Sequence, residues 1–254
     1  MRVFSVTGYH HTGKTTVVTA ILKELKKRNY SVASIKDIHY DKFTMEKENS
    51  NSWKHWKASG SVVFARGKKE TYQIWHEHLS LNEMLRYLQA DFVVIEGMKT
   101  AAVPHIICAN NQDELTELVD ETTFAISGKY ANGNQNFISQ PVIDANNEIE
   151  KLVDLIERKV FPVLPLAEPK CCGACGLDCY QMVGAILKGE KKRSDCVLDN
   201  CKNIVLKVNG REEKIVPFVQ NVLKDTILAL VRKLKGCEKG RITIEIDDEE
   251  QDNF

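Results

Sequence analysis

Residues 3–22, VFSVTGYHHTGKTTVVTAIL, place a glycine-containing loop between a short apolar run and a segment with helical spacing. Four positions of this stretch fit the pattern G-x-x-x-x-G-K-[ST]: Gly8, Gly13, Lys14 and Thr15. In such a loop the glycines let consecutive backbone N–H groups point at phosphate oxygens, and the following helix adds the positive end of its dipole. The pattern needs a strand before it and a helix after it, which residues 2–7 and 15–28 supply. The stretch therefore predicts a phosphate-binding loop, or P-loop.

The side chains of this loop have distinct expected roles. Lys14 would neutralise the β- and γ-phosphates, and the Thr15 hydroxyl would hold Mg²⁺. Thr16 would add a hydrogen bond near the α-phosphate. The competing interpretation is a surface glycine turn that begins a helix, and the apolar strand in front of the loop disfavours it.

A P-loop site also needs an acid that orients Mg²⁺ or water, and two strand ends offer one. Glu96 follows the apolar residues 92–95, and Asp37 ends a second predicted strand over 31–37. Ligands of open α/β sheets bind at the carboxyl ends of the strands, so we expect Glu96 to act in catalysis and Asp37 to contact the bound group. A solvated acid at a strand end is the alternative for either residue.

Short strands alternate with helical segments up to about residue 160, which predicts an α/β fold of the P-loop NTPase type with a mostly parallel sheet flanked by helices. The predicted helices include one over 80–89, with Ser80 as its N-cap. We expect five regions in order: a nucleotide-binding domain (1–160), a proline-rich linker (161–170), a cysteine-rich module (171–201), a small strand–helix–strand segment (202–247) and an acidic tail (248–254).

The segment NNQD at 110–113 follows a predicted strand and is similar to the guanine-reading N-K-x-D motif of GTPases. In that scheme Asn110 and Asp113 lie beside the base, and Asp113 accepts hydrogen bonds from guanine N–H groups that adenine lacks. SGK at 127–129 loosely matches a second base-binding motif. An ordinary polar loop explains the same residues, so both GTP and ATP remain open on this basis.

Composition excludes some classes of protein. The chain has 35 basic and 35 acidic residues, and this formal net charge of zero argues against binding nucleic acid through bulk charge. Apolar runs fall short of the roughly 20 residues that span a bilayer, and the N-terminus lacks the layout of a signal peptide. We therefore expect a cytoplasmic protein with neither a nucleic-acid nor a membrane partner.

Six of the eight cysteines lie between positions 171 and 201, which favours a metal site in a cytosolic chain of this length. The predicted ligands have the order C-x2-C-x3-C followed by a distant fourth cysteine: Cys172, Cys175, Cys179 and Cys196. Four thiolates suit a [4Fe–4S] cluster or structural Zn²⁺. The asymmetric spacing favours the cluster, with zinc second and reactive thiols or disulfides third. Cys171 and Cys201 are possible substitutes, whereas Cys108 and Cys237 are predicted to be buried or incidental.

Several segments, in order, resemble the molybdopterin-guanine dinucleotide biosynthesis protein B (MobB) family. These segments are GYHHTGKTT (8–16), SIKDIHYDKF (34–43), NSWKHWKASG (51–60) and VVIEGMK (93–99). The resemblance implies a dimeric, Mg²⁺-dependent GTPase of low activity that assists the guanylyltransferase (MobA) joining GMP to molybdopterin. It also makes Ser52 and His55 candidates for the nucleotide or pterin side of the site.

The cysteine pattern is similar to a small four-cysteine iron–sulfur domain found on some corrinoid and electron-transfer proteins. The alternative function is therefore an adaptor that binds nucleotide without hydrolysing it. Such an adaptor, or an electron-transfer module, would deliver cofactor or electrons to a molybdo- or tungsto-enzyme.

Overall fold

A computed structural model describes residues 1–40, 43–133, 136–137, 140–166, 175–200, 204–213, 215, 217–234 and 242–246. The chain forms two compact units, Met1–Val197 and Leu198–Phe254. Within the described residues, none of the helices is long and apolar enough to cross a membrane.

The first unit contains most of the regular structure. Its elements in chain order are β1 (Arg2–Gly8), α1 (Lys14–Lys27), β2 (Val32–Lys36), α2 (Asn51–Ser59), β3 (Val63–Arg66), β4 (Thr71–Ile74), α3 (Leu81–Arg86), β5 (Phe92–Glu96), β6 (His105–Cys108), α4 (Gln112–Leu118), β7 (Thr123–Ser127), β8 (Asn136–Phe137), β9 (Gln140–Pro141), α5 (Ile149–Lys159) and α6 (Cys179–Lys188). Short 3₁₀ turns cover Gly128–Ala131 and Arg193–Asp195. The predicted cap of the third helix is confirmed, because the Ser80 side chain accepts a hydrogen bond from the backbone N–H of Glu83.

Five strands form one sheet in the order β2-β5-β1-β6-β7, and every pair in it is parallel. This confirms the predicted α/β class with a mostly parallel sheet. β1 lies in the middle, and Val3, Phe4 and Val6 are fully buried because helices cover both faces of the sheet. The chain leaves β1 toward one edge and β6 toward the other. Their carboxyl ends therefore flank the crevice where ligands of such sheets bind.

Helices α1 and α5 cover one face of the sheet. Val17, Ile21 and Leu25 of α1 have helical spacing and pack in one cluster with Leu152 and Ile156 of α5. The cluster holds α1 firmly against β1, so the start of the helix has a fixed position at the sheet edge.

The region between β2 and β5 leaves this sheet. Among the described residues, strands β3 and β4 pair only with each other, as an antiparallel hairpin. α2 begins after Ser50, whose side chain accepts a hydrogen bond from the backbone N–H of Trp53. Trp56 of α2 stacks on His76 at 3.7 Å between ring centroids.

The second unit is small. A short helix, α7 (Val197–Asn200), spans the division between the units, and the second unit continues with β10 (Leu206–Val208), β11 (Arg211–Glu213) and α8 (Pro217–Val231). β10 and β11 form an antiparallel hairpin. Residues 242–246 have no strand assignment, although the sequence predicted a strand at 241–246. The predicted boundaries at 160, 170 and 201 stay predictions, and the linker residues 167–170 and the tail lie outside the described residues.

Candidate functional site

The P-loop has a shape that only glycine permits at two positions. Gly8 ends β1 with φ of 148°, and a Cβ built there would lie 1.9 Å from the carbonyl oxygen of Cys108. Gly13 has φ of 93° and immediately precedes α1. Among the described residues no side chain caps the start of α1, so the N–H groups of its first turn stay available to an anion.

Hydrogen bonds of Thr12 hold the middle of the P-loop in place. Thr12 is fully buried, its hydroxyl donates to the Tyr9 carbonyl at 2.9 Å, and its own carbonyl accepts the Lys129 N–H at 3.0 Å. Gly128 must be glycine here, because a Cβ would lie 2.4 Å from the Thr12 carbonyl oxygen and φ is 73°. The segment 127–129, interpreted from sequence as a base-binding motif, therefore supports the P-loop itself.

Lys14 and Thr16 lie in the first turn of α1, which begins one residue before the predicted start at Thr15. The Lys14 ammonium donates to the carbonyls of Gly8, at 2.9 Å, and Tyr9, so it lies along the inside of the loop. Thr16 is exposed in the first turn. The predicted phosphate-contacting groups are thus gathered at the start of one helix.

Thr15, in the first turn of α1, is in direct contact with Glu96 at the end of β5. The Thr15 hydroxyl donates to Glu96 Oε1 at 2.7 Å, and the Lys36 ammonium lies 3.0 Å from the same oxygen. Glu96 is held at its strand end because the N–H of Gly97 donates to the Val6 carbonyl at 3.0 Å. A hydroxyl that donates to a carboxylate directs its lone pairs away from it, which is the arrangement needed to bind Mg²⁺. The sequence did not assign Lys36 to the site, although its position before Asp37 on the adjacent strand was the available signal.

Asp37 has a different setting. Its Oδ2 accepts the Met98 N–H at 3.1 Å and lies 2.9 Å from His39 Nε2. Gly97 and Met98 both have positive φ, 104° and 54°, so the chain turns sharply after Glu96, and Asp37 holds that turn. The structure brings Asp37 near Glu96 through the backbone and gives it a supporting position.

The NNQD segment begins α4. Asn111 caps the helix by accepting the Glu114 N–H at 2.9 Å, and Asn110 donates from its backbone and its side chain to the Glu114 carboxylate. The backbone hydrogen bond from Asn110 is the largest cause that lowers the pKa of Glu114. Asp113 is exposed in the first turn of α4. Tyr9 joins the P-loop to the same helix, since its hydroxyl donates to Glu117 at 2.7 Å.

Known proteins are similar in sequence to this chain, some over its P-loop half and one over nearly its whole length. Residues 3–128 match the family described as MobB, "Molybdopterin guanine dinucleotide synthesis protein B". A relative from Methanocaldococcus jannaschii, named "Putative molybdopterin-guanine dinucleotide biosynthesis adapter protein", is 32% identical over 97% of this chain and 98% of its own length. The chain belongs to the MobB family.

Other MobB proteins match a smaller part of the chain. The "Molybdopterin-guanine dinucleotide biosynthesis adapter protein" of Haemophilus influenzae is 28% identical over 61% of this chain and 87% of its own length. A crystal structure of Bacillus subtilis MobB has a TM-score of 0.49 at 20% identity, and covers 63% of this chain and 99% of its own. The similarity to the M. jannaschii relative, by contrast, extends into the cysteine-bearing half.

Three of the four predicted metal ligands in this MobB protein lie within the described residues. Cys179 is the first residue of α6, whose N-cap Asp178 accepts the Gln181 N–H at 2.8 Å. The Cys175 thiol donates to the Leu177 carbonyl at 3.3 Å, and Cys196 is buried. Cys172 lies outside the described residues, and the described part of the chain contains no group of three or more His, Cys, Asp or Glu that could hold a metal ion. The thiols described here therefore do not by themselves make a cluster site. Cys108 is fully buried, as predicted, and burial raises its pKa to about 12.

A largely buried polar network holds α6 against the sheet, and no motif in the sequence predicts it. The Tyr180 hydroxyl donates to Asp120 Oδ2 at 2.6 Å, and the Thr122 hydroxyl donates to Asp120 Oδ1 at 2.6 Å. The same Thr122 oxygen lies 3.0 Å from Nδ1 of His105, whose Nε2 lies 3.1 Å from the Ala101 carbonyl oxygen. His105 is fully buried at the start of β6. The residue next to Cys179 is therefore fixed to the same body as the P-loop.

The pKa values of this network follow from its burial. Burial lowers the pKa of His105 to about 4. Burial and the hydrogen bond to Asp120 raise the pKa of Tyr180 to about 12. For Asp120, burial acts to raise the pKa, but the hydrogen bonds from Thr122 and Tyr180 outweigh it and the pKa is lowered. Near neutral pH the network therefore consists of a neutral histidine, a neutral tyrosine and an ionised aspartate.

Proposed function

We propose that this MobB protein binds GTP with Mg²⁺ at the P-loop and serves as an adapter in the attachment of GMP to molybdopterin. The observation that carries the proposal is the contact between Thr15 and Glu96, beside a loop whose glycines leave its N–H groups free for phosphate. The names of both curated relatives as adapter proteins support the second part.

Each residue of the site has a role in this proposal. Backbone N–H groups from Gly13 to Thr16 would bind phosphate oxygens, and Lys14 would move from the loop carbonyls to the β- and γ-phosphates. Thr15 would bind Mg²⁺ while Glu96 holds its hydroxyl and the ion's water shell. Mg²⁺, when bound, neutralises charge that develops on the phosphates. Asp37 would support the turn that positions Glu96.

We infer that hydrolysis is weak. Glu96 Oε1 is shared by the Thr15 hydroxyl and the Lys36 ammonium, which suits holding an ion better than removing a proton from water. The alternative is an adaptor that binds nucleotide without hydrolysis, or an electron-transfer module for a molybdo- or tungsto-enzyme. Phosphate release over many turnovers by the purified protein separates the two, because an adaptor releases no more phosphate than the Lys14→Ala variant.

The decisive binding experiment measures GTP and ATP in competition on one sample. We expect Lys14→Ala to lower GTP affinity about a hundredfold, since a charge-assisted contact with two phosphates is lost. Lys23→Ala is the control, because it removes one positive charge from the exposed side of the same helix. Failure of the wild-type protein to bind either nucleotide would contradict the proposal.

We propose that guanine is read by Asp113, with Asn110 beside it. Both follow β6, whose carboxyl end flanks the P-loop strand, and Asp113 is exposed at the start of α4. Asp113→Asn should therefore change the preferred nucleotide from GTP to xanthosine triphosphate. Xanthine has an oxygen in place of the guanine amino group, and this oxygen accepts a hydrogen bond from the introduced amide. Equal affinity of the wild-type protein for GTP and ATP would contradict the guanine assignment.

We propose a molybdopterin guanylyltransferase of the MobA type as the partner, in a cytoplasmic setting, and a homodimer as the active form. The hairpin β3–β4 supports the dimer, because it pairs outside the main sheet and its Phe64 and Tyr72 side chains are 63% and 48% exposed. Light scattering checks the mass in solution. Faster formation of molybdopterin guanine dinucleotide when this protein is added to the guanylyltransferase checks the partner.

We propose a metal centre on Cys172, Cys175, Cys179 and Cys196, a [4Fe–4S] cluster in preference to Zn²⁺. Support comes from the spacing of the cysteines and from the position of Cys179 as the first residue of α6, where the positive end of the helix dipole faces the thiol group. Anaerobic purification followed by iron and zinc analysis tests it. About four iron atoms per chain, lost in Cys179→Ser, is the expected result, and zinc in excess of iron would contradict the cluster.

A further inference from the structure

Two cationic or donor groups meet on one carboxylate oxygen at the sheet edge. Lys36 and Glu96 are register partners at the ends of the neighbouring strands β2 and β5. The Lys36 ammonium lies 3.0 Å from Glu96 Oε1, and the Thr15 hydroxyl lies 2.7 Å from that same atom. Lys36 is therefore a third group at the oxygen that joins Thr15 to Glu96, the two residues predicted to hold or orient Mg²⁺.

The three groups differ in how freely they can move. The Glu96 side chain is only 12% exposed, and its strand end is fixed because the Asp37 N–H donates to the Glu96 carbonyl at 2.9 Å. The Lys36 side chain is 57% exposed and carries its charge on a flexible stem. A competing cation can thus displace the ammonium while the carboxylate keeps its place.

We propose that the Lys36 ammonium and the divalent cation compete for Glu96 Oε1, so that Lys36 determines how strongly nucleotide binding depends on the cation. This inference rests on the proposed binding of GTP and Mg²⁺. An ion held by the Thr15 hydroxyl would lie beside Glu96 Oε1, the oxygen on which the Lys36 ammonium sits, and like charges so close repel each other. This repulsion favours displacement of the mobile ammonium over joint occupancy of the oxygen.

Lys36 has a second effect when no divalent ion is bound. The carboxylate of Glu96 lies beside the phosphate-binding loop, and its negative charge would repel a triphosphate. The ammonium neutralises that charge, so the nucleotide can bind without the cation. Removing Lys36 should therefore weaken binding in the absence of Mg²⁺ and strengthen binding of Mg²⁺ itself.

The test measures binding of a fluorescent GTP analogue to the full chain, first with a chelator and then across a Mg²⁺ titration. For Lys36→Met we expect affinity without Mg²⁺ to fall about tenfold and the half-saturating Mg²⁺ concentration to fall about tenfold. Lys36→Arg should behave like the wild-type protein, because it keeps charge and reach. Lys23→Met should change neither quantity, which excludes a general charge effect.

The outcomes separate this inference from the function on which it rests. If the wild-type protein binds no nucleotide at any Mg²⁺ concentration, the proposed function fails. Suppose instead that the wild-type protein binds nucleotide. The proposed competition is then contradicted if Lys36→Met leaves both the affinity without Mg²⁺ and the half-saturating Mg²⁺ concentration within twofold, or if it raises that Mg²⁺ concentration. Thermal unfolding of each variant verifies that the proteins compared are folded. Lys36→Arg tests separately whether the positive charge at this position is what matters.

Discussion

Two regions of the first unit use polar side chains in opposite ways. One is the P-loop edge, formed by Lys14, Thr15, Lys36 and Glu96. The other, the seat of α6, is the polar network of His105, Asp120, Thr122 and Tyr180. At the edge, Lys14, Thr15 and Lys36 are at least partly accessible, and each contacts an oxygen that a ligand can replace. Beneath α6, His105 and Thr122 are fully buried and hydrogen-bond to each other, to the Ala101 carbonyl and to Asp120. Accessible contacts can be exchanged at little cost, whereas removing a buried partner leaves an unsatisfied group. The first region is built to change partners and the second to hold a position.

The difference extends to the backbone. The edge depends on glycines at positions where any side chain would clash, and Gly8 is the most crowded of them. The seat depends on side chains that come from three separate segments of the chain and meet at the Thr122 hydroxyl. We therefore expect substitutions at the edge to act on binding or on the loop itself, and substitutions at the seat to act on stability and its pH dependence.

The largest effect should come from Gly8→Ala. Its Cβ would lie 1.9 Å from the Cys108 carbonyl oxygen, so β1 and β6 would have to move apart, at a cost of about 4 kcal/mol or more of unfolding free energy. Urea unfolding followed by circular dichroism measures the change. Gly60→Ala is the matched control: it also has positive φ, but no described atom lies within 4 Å of a Cβ there, and we expect a cost of about 1 kcal/mol. Equal costs at the two positions would refute the crowding argument.

The next effect concerns pH and His105. The unfolded imidazole binds a proton below a pKa of 6.5, while the buried one stays neutral down to about 4, so the unfolded state holds more protons between these values. Stability should therefore fall as pH falls through this window, by roughly 3 kcal/mol in total. Urea unfolding at several pH values measures the slope. His105→Gln should flatten it, and a wild-type protein that becomes more stable toward pH 4 would show that the folded state prefers the charged ring.

A smaller effect is expected from Tyr180→Phe. The change removes the hydroxyl that donates to Asp120 Oδ2 and leaves a partly buried carboxylate oxygen short of a partner, at a cost of about 1–2 kcal/mol. GTP affinity should stay within twofold of the wild-type value, because the network lies away from the P-loop contacts. Tyr40→Phe, at a side chain that is 64% exposed, is the control and should cost nothing measurable. A large loss of GTP affinity in Tyr180→Phe would show that the two regions are coupled.

The two regions also differ in how far the sequence predicted them. The P-loop residues are consecutive in the chain, and Glu96 follows an uninterrupted apolar run. Local sequence pattern was therefore enough to predict the fold and the pair Thr15 and Glu96. The seat of α6 unites His105, Asp120, Thr122 and Tyr180, which have no common spacing, and only the folded chain brings them together. Lys36 was missed for a related reason, since its partner is a neighbour in the sheet and is distant along the chain.

The smallest effect tests the residues between these regions, in the NNQD segment. Asn111 accepts the Glu114 N–H as the N-cap of α4, and losing such a cap costs about 1 kcal/mol. Asn111→Ala should therefore lower the unfolding free energy by that amount and leave the ratio of GTP to ATP affinity unchanged, whereas Asp113→Ala should reduce that ratio with little change in stability. The two variants change positions two residues apart at the start of one helix, so each serves as the control for the other. If Asn111→Ala alters nucleotide preference as strongly as Asp113→Ala, the whole NNQD segment acts in nucleotide binding with the P-loop edge. The capping hydrogen bond is then part of base recognition.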